Sequence, residues 1–317
     1  MTHEPVMAAE VVEYLRPWSG GLFVDCTVGL GGHTRALVEA GATRVIGLDR
    51  DADALTLARG RLAPFGNRVE LVHADFRSLG AVLDERRIQH ADGALADLGV
   101  SSLQLDAPGR GFSFQRDEPL DMRMDQSAGE TAADLVARSN ERELADAIFQ
   151  YGEERFSRRI ARAIVDERRT APVATTLRLA SIVRRAIPRR VPTRIDPATR
   201  TFQALRIWVN RELEGLDRFL ADAVRRLRAG ARLVVIAFHS LEDRIVKHTL
   251  RALEQRGAAL KVLTRKPILP TEVEVQRNPR ARSAKLRAAE RVPAQGGPRA
   301  DGNREANLTG QVEDGCG

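Results

Sequence analysis

A glycine-rich turn near the start of the chain has the composition of a nucleoside-cofactor site. Gly29, Gly31 and Gly32 lie between an apolar stretch and a helix-like stretch, and they leave the turn without side-chain bulk. The backbone of such a turn can lie directly against a cofactor. Asp49 follows about 20 residues after the first glycine, where a carboxylate can accept hydrogen bonds from ribose hydroxyls. This spacing predicts a bound nucleoside cofactor.

The third glycine of the turn separates two classes of cofactor. A dinucleotide-binding turn would have it at position 34, which is Thr34, whereas here it comes early, at Gly32, and His33 follows. S-adenosylmethionine has no pyrophosphate, so a turn that only approaches its methionine moiety is sufficient. The sequence therefore favours a methyltransferase over an NAD-dependent oxidoreductase. A glycine turn that binds no cofactor stays open as an alternative.

Length and composition exclude several classes of protein. With 317 residues, 43% of them hydrophobic, the chain is long enough for one large or two ordinary domains. The longest apolar run, Leu233–Phe238, is far shorter than the roughly 20 residues that cross a bilayer, and the acidic N-terminus is unlike a signal peptide. The two cysteines, Cys26 and Cys316, cannot form a disulfide framework. We expect a reduced, cytoplasmic protein without membrane contact.

Positive charge is concentrated in one segment of a chain whose net charge is +7. Between Tyr151 and Arg200 there are 13 arginines and five acidic residues. Arg155, Arg159 and Arg162 recur there at helical spacing, away from the apolar stripe. A solvated helix face is the simpler explanation of such a run. The clustering of one sign nevertheless predicts a polyanionic partner such as RNA.

The pattern of apolar stretches predicts the scaffold that positions these residues. Short apolar strands alternate with helix-like segments up to about Gln104, which predicts an α/β fold with a parallel sheet covered on both faces. A helical pattern then fills 131–187, and a three- to four-residue apolar period runs from Phe202 to Leu227. The predicted strands are Leu22–Asp25, Arg44–Leu48, Val69–His73, Gly93–Leu98 and, after the helical stretch, Arg232–Phe238.

The interruption of the strand–helix alternation predicts two domains. Residues 1–106 and 202–292 would form a discontinuous methyltransferase domain that binds the cofactor. Residues 107–201 would form an inserted, mainly helical and basic domain, at the edge of the sheet where a substrate-recognition module is well placed. The last stretch, 293–317, has no apolar period and is predicted to be disordered.

Residues after the third and fourth strands complete the predicted site. Asp75 and Phe76 follow the third strand, where an acid can bind an adenine amine and a ring can pack on the base; an ordinary loop and core role is the alternative. Asp97 ends the fourth strand, where the target amine of an amino methyltransferase meets the sulfonium. Methyl transfer is a direct displacement that mainly requires alignment of the reacting atoms. Asp97 is the predicted catalytic residue, either orienting the amine or contacting the methionine end of the cofactor.

Two other chemistries are disfavoured by the residue types. Methylation at C5 of a pyrimidine needs a cysteine nucleophile, and neither Cys26, inside the glycine turn, nor Cys316 is placed for it. His33, His73 and His239 lie at separate strand ends without the spacing of a metal-ligand cluster. We expect no metal at the site.

Eight strings in the chain are long enough to be specific: DLGVSS (97–102), RGFSF (110–114), PLDMRMD (119–125), YGEERF (151–156), ATRTFQ (198–203), RIWVN (206–210), FHSLEDR (238–244) and NPRARS (278–283). Together they closely resemble the bacterial 16S ribosomal RNA cytosine-N4 methyltransferase family, from His3 to about Arg291. The resemblance implies a Rossmann-like class I methyltransferase sheet with an inserted helical domain. It also implies an S-adenosylmethionine-dependent enzyme that methylates the exocyclic amine of one decoding-centre cytosine in the small ribosomal subunit.

The resemblance is incomplete at two positions. The chain departs from the family pattern at Leu103, where proline is common, and at Asp196, where histidine is common. The runner-up function is an RNA-binding assembly protein that keeps the cofactor site without turnover. Nothing in the sequence indicates the oligomeric state.

The resemblance further implies particular site residues. The family's cofactor contacts correspond to Gly31, Gly32, His33, Asp49, Phe76, Asp97 and Gln104.

Overall fold

A twisted sheet forms the centre of the larger part of the molecule. The computed structural model describes residues 5–188 and 195–293. The strands in these ranges are β1 (Leu22–Asp25), β2 (Arg44–Asp49), β3 (Val69–His73), β4 (Ala91–Asp97), β5 (Leu227–Ala237), β6 (Leu260–Val262) and β7 (Lys285–Arg291). Their order is β3-β2-β1-β4-β5-β7-β6, with β1 to β5 parallel and β7 antiparallel to its neighbours β5 and β6. The predicted α/β, Rossmann-like methyltransferase sheet is confirmed.

Helices cover the sheet and also form the segment between β4 and β5. None of the helices in the two described ranges is both long and apolar enough to cross a membrane. The predicted disordered tail lies, except for Pro293, outside the described residues. The helices are α1 (Ala8–Leu15), α2 (Gly32–Glu39), α3 (Ala52–Leu62), α4 (Leu79–Glu85), α5 (Ser102–Asp106), α6 (Ala132–Arg138), α7 (Glu141–Gly152), α8 (Ser157–Arg168), α9 (Thr176–Ala186), α10 (Ala198–Asn210), α11 (Leu216–Arg225), α12 (Ser240–Gln255) and α13 (Glu272–Arg277).

Both faces of the central strands are buried. Val24 and Ile46 pack on one side with residues of α4, α11 and α12. Their neighbours Phe23 and Val45 point to the other side and pack with α1 and α2. A strand that is buried on both faces is apolar throughout. This is why the sequence predicted β1, β2 and β4 to within two residues.

The segment between β4 and β5 forms its own apolar cluster. Helices α6 to α10 pack around Leu144, Ile160, Leu179 and Phe202, all buried. Helix α10 belongs to this cluster through residues on both sides of position 201. It therefore runs through the second predicted domain boundary, between 201 and 202. The division into two domains stays a prediction.

The prediction of one long helical stretch from Phe202 to Leu227 is wrong. The chain forms two helices, α10 and α11, because Arg211 ends the first with a φ of 49° and Gly215 precedes the second with a φ of 70°. These left-handed residues break the helical hydrogen bonding. The apolar period continues across the break because both helices bury one face, so the period alone could not reveal it.

The C-terminal strands also differ from the prediction. Strand β5 begins at Leu227, five residues before the predicted start at Arg232, and its register with β4 shifts in this first part of the strand. Strands β6 and β7 were not predicted. Strand β7 contains Lys285 and Arg287 beside Leu286 and several alanines, which is not an apolar run. Arg287 is buried because its Nε donates to Asp243 Oδ1 at 2.6 Å.

A buried ion pair connects the sheet to the segment inserted after β4. Asp51 precedes α3 and caps it by accepting hydrogen bonds from the amides of Asp53 and Ala54. Its Oδ2 also accepts from Arg110 Nη2 at 2.8 Å, and both side chains are about 95% buried or more. Arg110 donates further to the carbonyl oxygen of Met124, 2.9 Å away. One guanidinium thus holds the loop at 107–131 against the carboxyl edge of the sheet.

Replacing Arg110 by methionine is expected to destabilise the fold strongly, because it leaves the Asp51 carboxylate buried without its cation. Breaking a buried pair on one side costs on the order of 3–5 kcal/mol. Arg138→Met is the matched control, since Arg138 pairs with Glu130 where both side chains are about half exposed, and such pairs contribute less than about 1 kcal/mol. The free energy of unfolding from urea titration of both variants is the measurement. Equal, small losses would contradict the role given to Arg110.

Candidate active site

A cavity opens at the carboxyl ends of the parallel strands. Residues that follow β1, β2, β3, β4 and β5 line it, together with Pro5 and Val6 of the N-terminal segment. Gly31 is not part of the lining. The other six predicted cofactor residues line the cavity: Gly32, His33, Asp49, Phe76, Asp97 and Gln104.

The glycine turn is shaped partly by packing and partly by the cavity. Gly29 and Gly31 have φ values of 52° and 83°, which favour glycine. A Cβ on Gly31 would lie 2.8 Å from the Leu62 side chain of α3, so this glycine permits a close helix contact. A Cβ on Gly32 would lie 3.0 Å from Pro5, beside the cavity. Gly32 therefore faces the site, whereas Gly31 faces the protein.

Asp49 supports the glycine turn from the end of β2. Its Oδ2 accepts a hydrogen bond from the Gly29 amide at 2.7 Å, and its Oδ1 accepts from the Asp51 amide at 2.8 Å. Burial raises the pKa of Asp49 to about 6, although both amides favour the ionised form. Each carboxylate oxygen has a second acceptor position. Asp49 can thus bind ribose hydroxyls while it holds the turn.

Asp97 has a buried oxygen without a hydrogen-bond partner. Its amide donates a hydrogen bond to Thr27 Oγ1 at 2.6 Å, which fixes the end of β4 beside β1. Its Oδ2 lies 3.4 Å from His33 Nε2, but without the alignment of a hydrogen bond. Among the described residues, Oδ1 has no hydrogen-bond donor. A buried carboxylate oxygen that lacks a donor is costly unless a ligand provides one.

Gln104 is held by the protein on both ends of its amide. The Oε1 atom accepts from the Ser101 amide at 3.0 Å, which completes the capping box of α5, and Nε2 donates to Asp51 Oδ2 at 2.9 Å. Gln104 therefore positions the loop after β4 against α3. Asp51 and Arg110 are the residues that the sequence analysis missed here. In the sequence, Asp51 was visible only as an acid at the start of α3, and Arg110 only as part of the RGFSF string. Neither feature indicated an ion pair.

Phe76 lines the cavity and is partly buried. Its ring packs edge-on against Phe219 of α11, with centroids 4.8 Å apart, and the Arg77 guanidinium lies over it at 5.5 Å. Asp75 is engaged by Arg77, whose Nη2 donates to it at 2.6 Å. Although burial acts in the opposite direction, these bonds hold the pKa of Asp75 below its usual range. Phe76 offers an apolar surface, while Asp75 already has a partner.

Glu212, His239 and Glu242 are the one described group whose spacing could suit a metal ion. The hydrogen bonds oppose that role. Both Glu212 oxygens accept from the buried Arg206, at 2.9 and 2.8 Å. His239 Nδ1 accepts from the Glu242 amide, so the neutral ring carries its proton on Nε2, which faces Glu242 Oε1 at 3.2 Å. A protonated Nε2 is a donor rather than a metal ligand.

The sheet order, the cavity at its carboxyl edge and the acid that ends β4 define a methyltransferase. A model of the MraW methylase family matches residues 1–292, and the chain belongs to that family. Its relatives include proteins named ribosomal RNA small subunit methyltransferase H. The protein of this name from Geotalea uraniireducens is 51% identical to this chain, and the alignment covers 92% of this chain and 98% of the relative's length. That of Cyanothece sp. is 53% identical, with 92% and 95% covered.

Similarity to solved structures is lower. An rRNA methylase from Streptococcus thermophilus aligns over 92% of this chain and 99% of its own length. The sequence identity is 14% and the TM-score is 0.42, which is too low to support an inference.

S-adenosylmethionine is the methyl donor of this methylase, as the glycine turn predicted. The residues at the cavity fit it. The Asp97 oxygen without a partner suits a cationic N–H donor such as an α-ammonium group, and the lining has Gly32 where the backbone must come close. Asp49 has free acceptor positions for hydroxyl groups. These individual contacts remain predictions.

Asp49→Asn is expected to weaken S-adenosylmethionine binding by about 1.5–3 kcal/mol, because hydrogen bonds to a charged acceptor are lost. Since the pKa of Asp49 is about 6, the affinity of the wild type should also fall as the pH is lowered through about 6. The variant should lack this pH dependence. Isothermal titration calorimetry from pH 5 to pH 8 measures both effects. Asp53→Asn, an exposed acid on α3, is the control, and equal behaviour of the two variants would remove Asp49 from the cofactor site.

Proposed function

We propose that this methylase acts on 16S rRNA of the small ribosomal subunit and transfers a methyl group to N4 of one cytosine in the decoding centre. Two lines of support carry the proposal. The relatives are named small-subunit rRNA methyltransferases, and Asp97, whose carboxylate has an oxygen without a hydrogen-bond partner among the described residues, lines the cavity. An exocyclic amine, with its two N–H donors, is the nucleobase group that such an acceptor fits.

The order of the strands separates a cofactor side from an acceptor side. Asp49 and Phe76 follow β2 and β3, on one side of β1 and β4. Phe238 and Glu242 follow β5, on the other side, and also line the cavity. We assign the first side to the ribose and adenine and the second side to the target base. Asp97, at the end of β4, lies between them, where the transferred methyl group must pass.

The chain's residues account for an alignment mechanism. When bound, S-adenosylmethionine supplies an electrophilic methyl group on its sulfonium sulfur. The Asp97 carboxylate accepts a hydrogen bond from the amine and so directs the nitrogen lone pair toward that methyl group. The aromatic ring of Phe238 offers the base a surface to pack on. Holding two reactants in line is the largest part of what a direct displacement requires from the protein.

Cys26 supports transfer to nitrogen rather than to pyrimidine carbon. It lies in the cavity lining, yet its side chain is buried. Burial, reinforced by the charge of Asp25, raises the pKa of the Cys26 thiol well above its usual value. A thiol that stays protonated is a poor nucleophile. Carbon-5 methylation through this cysteine is therefore disfavoured.

The experiment that tests the function is mass spectrometry of small-subunit rRNA. Cells without this gene should lack one methyl group on a decoding-centre cytosine, and the wild-type gene should restore it. Restoration of growth or assembly by an inactive variant, without the methyl group, would favour the runner-up function of an RNA-binding assembly protein. A methyl group found on another subunit, base or atom would overturn the proposal.

Asp97→Asn is expected to slow methyl transfer by at least about tenfold, a loss of roughly 1.4 kcal/mol or more. The amide keeps the shape of the carboxylate but lacks its charge, while RNA binding should change little. Single-turnover methyl transfer at saturating cofactor is the measurement, and Asp92→Asn, at the opposite end of β4, is the control. A wild-type rate for Asp97→Asn would remove Asp97 from the reaction.

The RNA-binding surface is proposed to lie on the inserted segment, residues 107–201. Arg155, Arg158 and Arg159 are exposed at the start of α8 and have no acidic partner among the described residues. Arg162, the third arginine predicted from the sequence, instead pairs with Glu141 at 3.4 Å. Glu153, just before α8, accepts from Ser240 Oγ at 2.5 Å at the start of α12. The unpaired arginines thus lie near the acceptor side of the cavity.

Replacing Arg155, Arg158 and Arg159 with glutamine is expected to weaken binding of the small subunit. Each lost phosphate contact should reduce the slope of log K against log salt by about 0.7–0.9, and S-adenosylmethionine affinity should not change. The control replaces Arg16, Arg59 and Arg61, which are exposed on the methyltransferase part of the chain, with glutamine. Binding across a salt series is the measurement. Equal slopes for the two triple variants would mean that the α8 arginines form only a solvated surface.

A further inference from the structure

His33 is a buried histidine surrounded by acids, and the mechanism above gives it no task. It lies in the first turn of α2 and is 4% exposed. Neither ring nitrogen has a hydrogen-bond partner among the described residues. Both nitrogens of a buried imidazole are normally satisfied. The arrangement therefore needs an explanation other than packing.

Acids approach His33 from three elements of the fold. Asp97 at the end of β4 lies 3.4 Å from its Nε2. Asp25 at the end of β1 and Glu274 of α13 add negative charge from two further directions. Burial alone would lower the pKa of His33, but Asp97, Asp25 and Glu274 outweigh it, so the pKa lies above its usual value of 6.5. The ring is thus more readily protonated than a free imidazole.

Asp25 cannot serve in place of Asp97 as the partner of this ring. Its Oδ2 accepts from Thr34 Oγ1 at 2.7 Å and its Oδ1 accepts from the Thr27 amide at 3.2 Å. Glu274 is likewise engaged, because its Oε1 accepts from the Met7 amide at 2.6 Å. Of the three acids, Asp97 is the one that lines the cavity, and its Oδ2 faces His33.

We propose that His33 is a positioning residue that acts through Asp97, and that the two together form the proton acceptor of methyl transfer. This inference rests on the proposed function. The amine lone pair forms the N–C bond while the C–S bond breaks and leaves its electron pair on sulfur. The nitrogen then carries one proton too many, and that proton passes to the Asp97 carboxylate, whose Oδ2 faces His33.

The charge of His33 decides how well the pair accepts this proton. When the His33 ring is neutral, the proton from the amine converts the negatively charged His33–Asp97 pair into a neutral pair. When the ring is protonated, the same proton converts a neutral pair into a positively charged one, next to the place where a cationic methyl donor must bind. Like charges in a buried site repel strongly. Methyl transfer should therefore be slow below the pKa of His33 and fast above it.

Single-turnover methyl transfer at saturating cofactor, measured from pH 5.5 to pH 9, tests the inference. The wild-type rate should rise about tenfold per pH unit and level off above an inflection that exceeds pH 6.5. His33→Gln keeps an amide nitrogen where Nε2 lies but cannot titrate, so its profile should be flat. Glu274→Gln keeps the acceptor for the Met7 amide but removes one negative charge. It should move the inflection to lower pH.

A readout that does not need turnover accompanies the rates. The His33 ring, titrated by NMR in the protein without substrate, should show a pKa that matches the kinetic inflection. It should fall in both Asp97→Asn and Glu274→Gln. His90→Gln, an exposed histidine before β4, is the control and should leave the profile unchanged. If His33→Gln fails to fold, Glu274→Gln still decides the question.

Three outcomes would overturn the inference. They are a rising limb that persists in folded His33→Gln, an inflection that Glu274→Gln does not move, and a ring pKa that is insensitive to Asp97→Asn. Wild-type protein that transfers no methyl group to the small subunit would instead overturn the proposed function, and the inference with it. The NMR titration tells these failures apart, because it reports the pairing of His33 with Asp97 without any RNA.

Discussion

The candidate site depends on the buried carboxylate of Asp51. This one side chain caps α3, binds Gln104 of the loop after β4, and pairs with Arg110 of the inserted segment. The amide of Asp51 also binds Asp49, which in turn holds the amide of Gly29. The glycine turn, the loop after β4 and the inserted segment are therefore linked through Asp51 and Asp49, the predicted ribose-binding acid. A change at either acid would alter several walls of the cavity at once.

The cavity concentrates negative charge, and the protein balances nearly all of it locally. Asp25 has two hydrogen bonds from the glycine turn and α2, Asp49 has two from backbone amides, and Glu242 has the Phe238 amide and the nearby His239 ring. Although burial opposes ionisation, these contacts keep the pKa of Glu242 below its usual range. Asp97 is the exception, since its Oδ1 has no hydrogen-bond donor among the described residues. This contrast with its satisfied neighbours supports the proposed role of Asp97 in binding a ligand.

The sequence predicted the parts of the molecule that follow from local patterns. Strands β1, β2 and β4 were predictable because both of their faces are buried. The places of Asp49 and Asp97 at the cavity were predictable because a strand end is visible in the sequence. Spacing could not show that Gly31 faces Leu62 rather than the cavity, or that Arg110 crosses to Asp51, because both depend on how distant segments pack. The break at Arg211 was hidden because the helices on either side of it bury the same kind of face. Strand β7 could not be recognised in the sequence because it contains Arg287, which is neutralised by Asp243, a partner 44 residues away in the chain.

The distribution of charge restricts how an RNA can approach this site. The cavity has Asp49, Asp97, Glu212 and Glu242 in its lining, as well as Arg50 and Arg280, and the acids repel a phosphodiester backbone. The arginines that we propose to bind that backbone, Arg155, Arg158 and Arg159, do not line the cavity. A base can enter the acceptor side only if its own phosphates stay at the rim, which requires that it leave its stack. The insertion between β4 and β5 places the arginines beside the strands that flank the acceptor side. The same topology that builds the site can therefore separate the base, which reacts, from the backbone, which is only held.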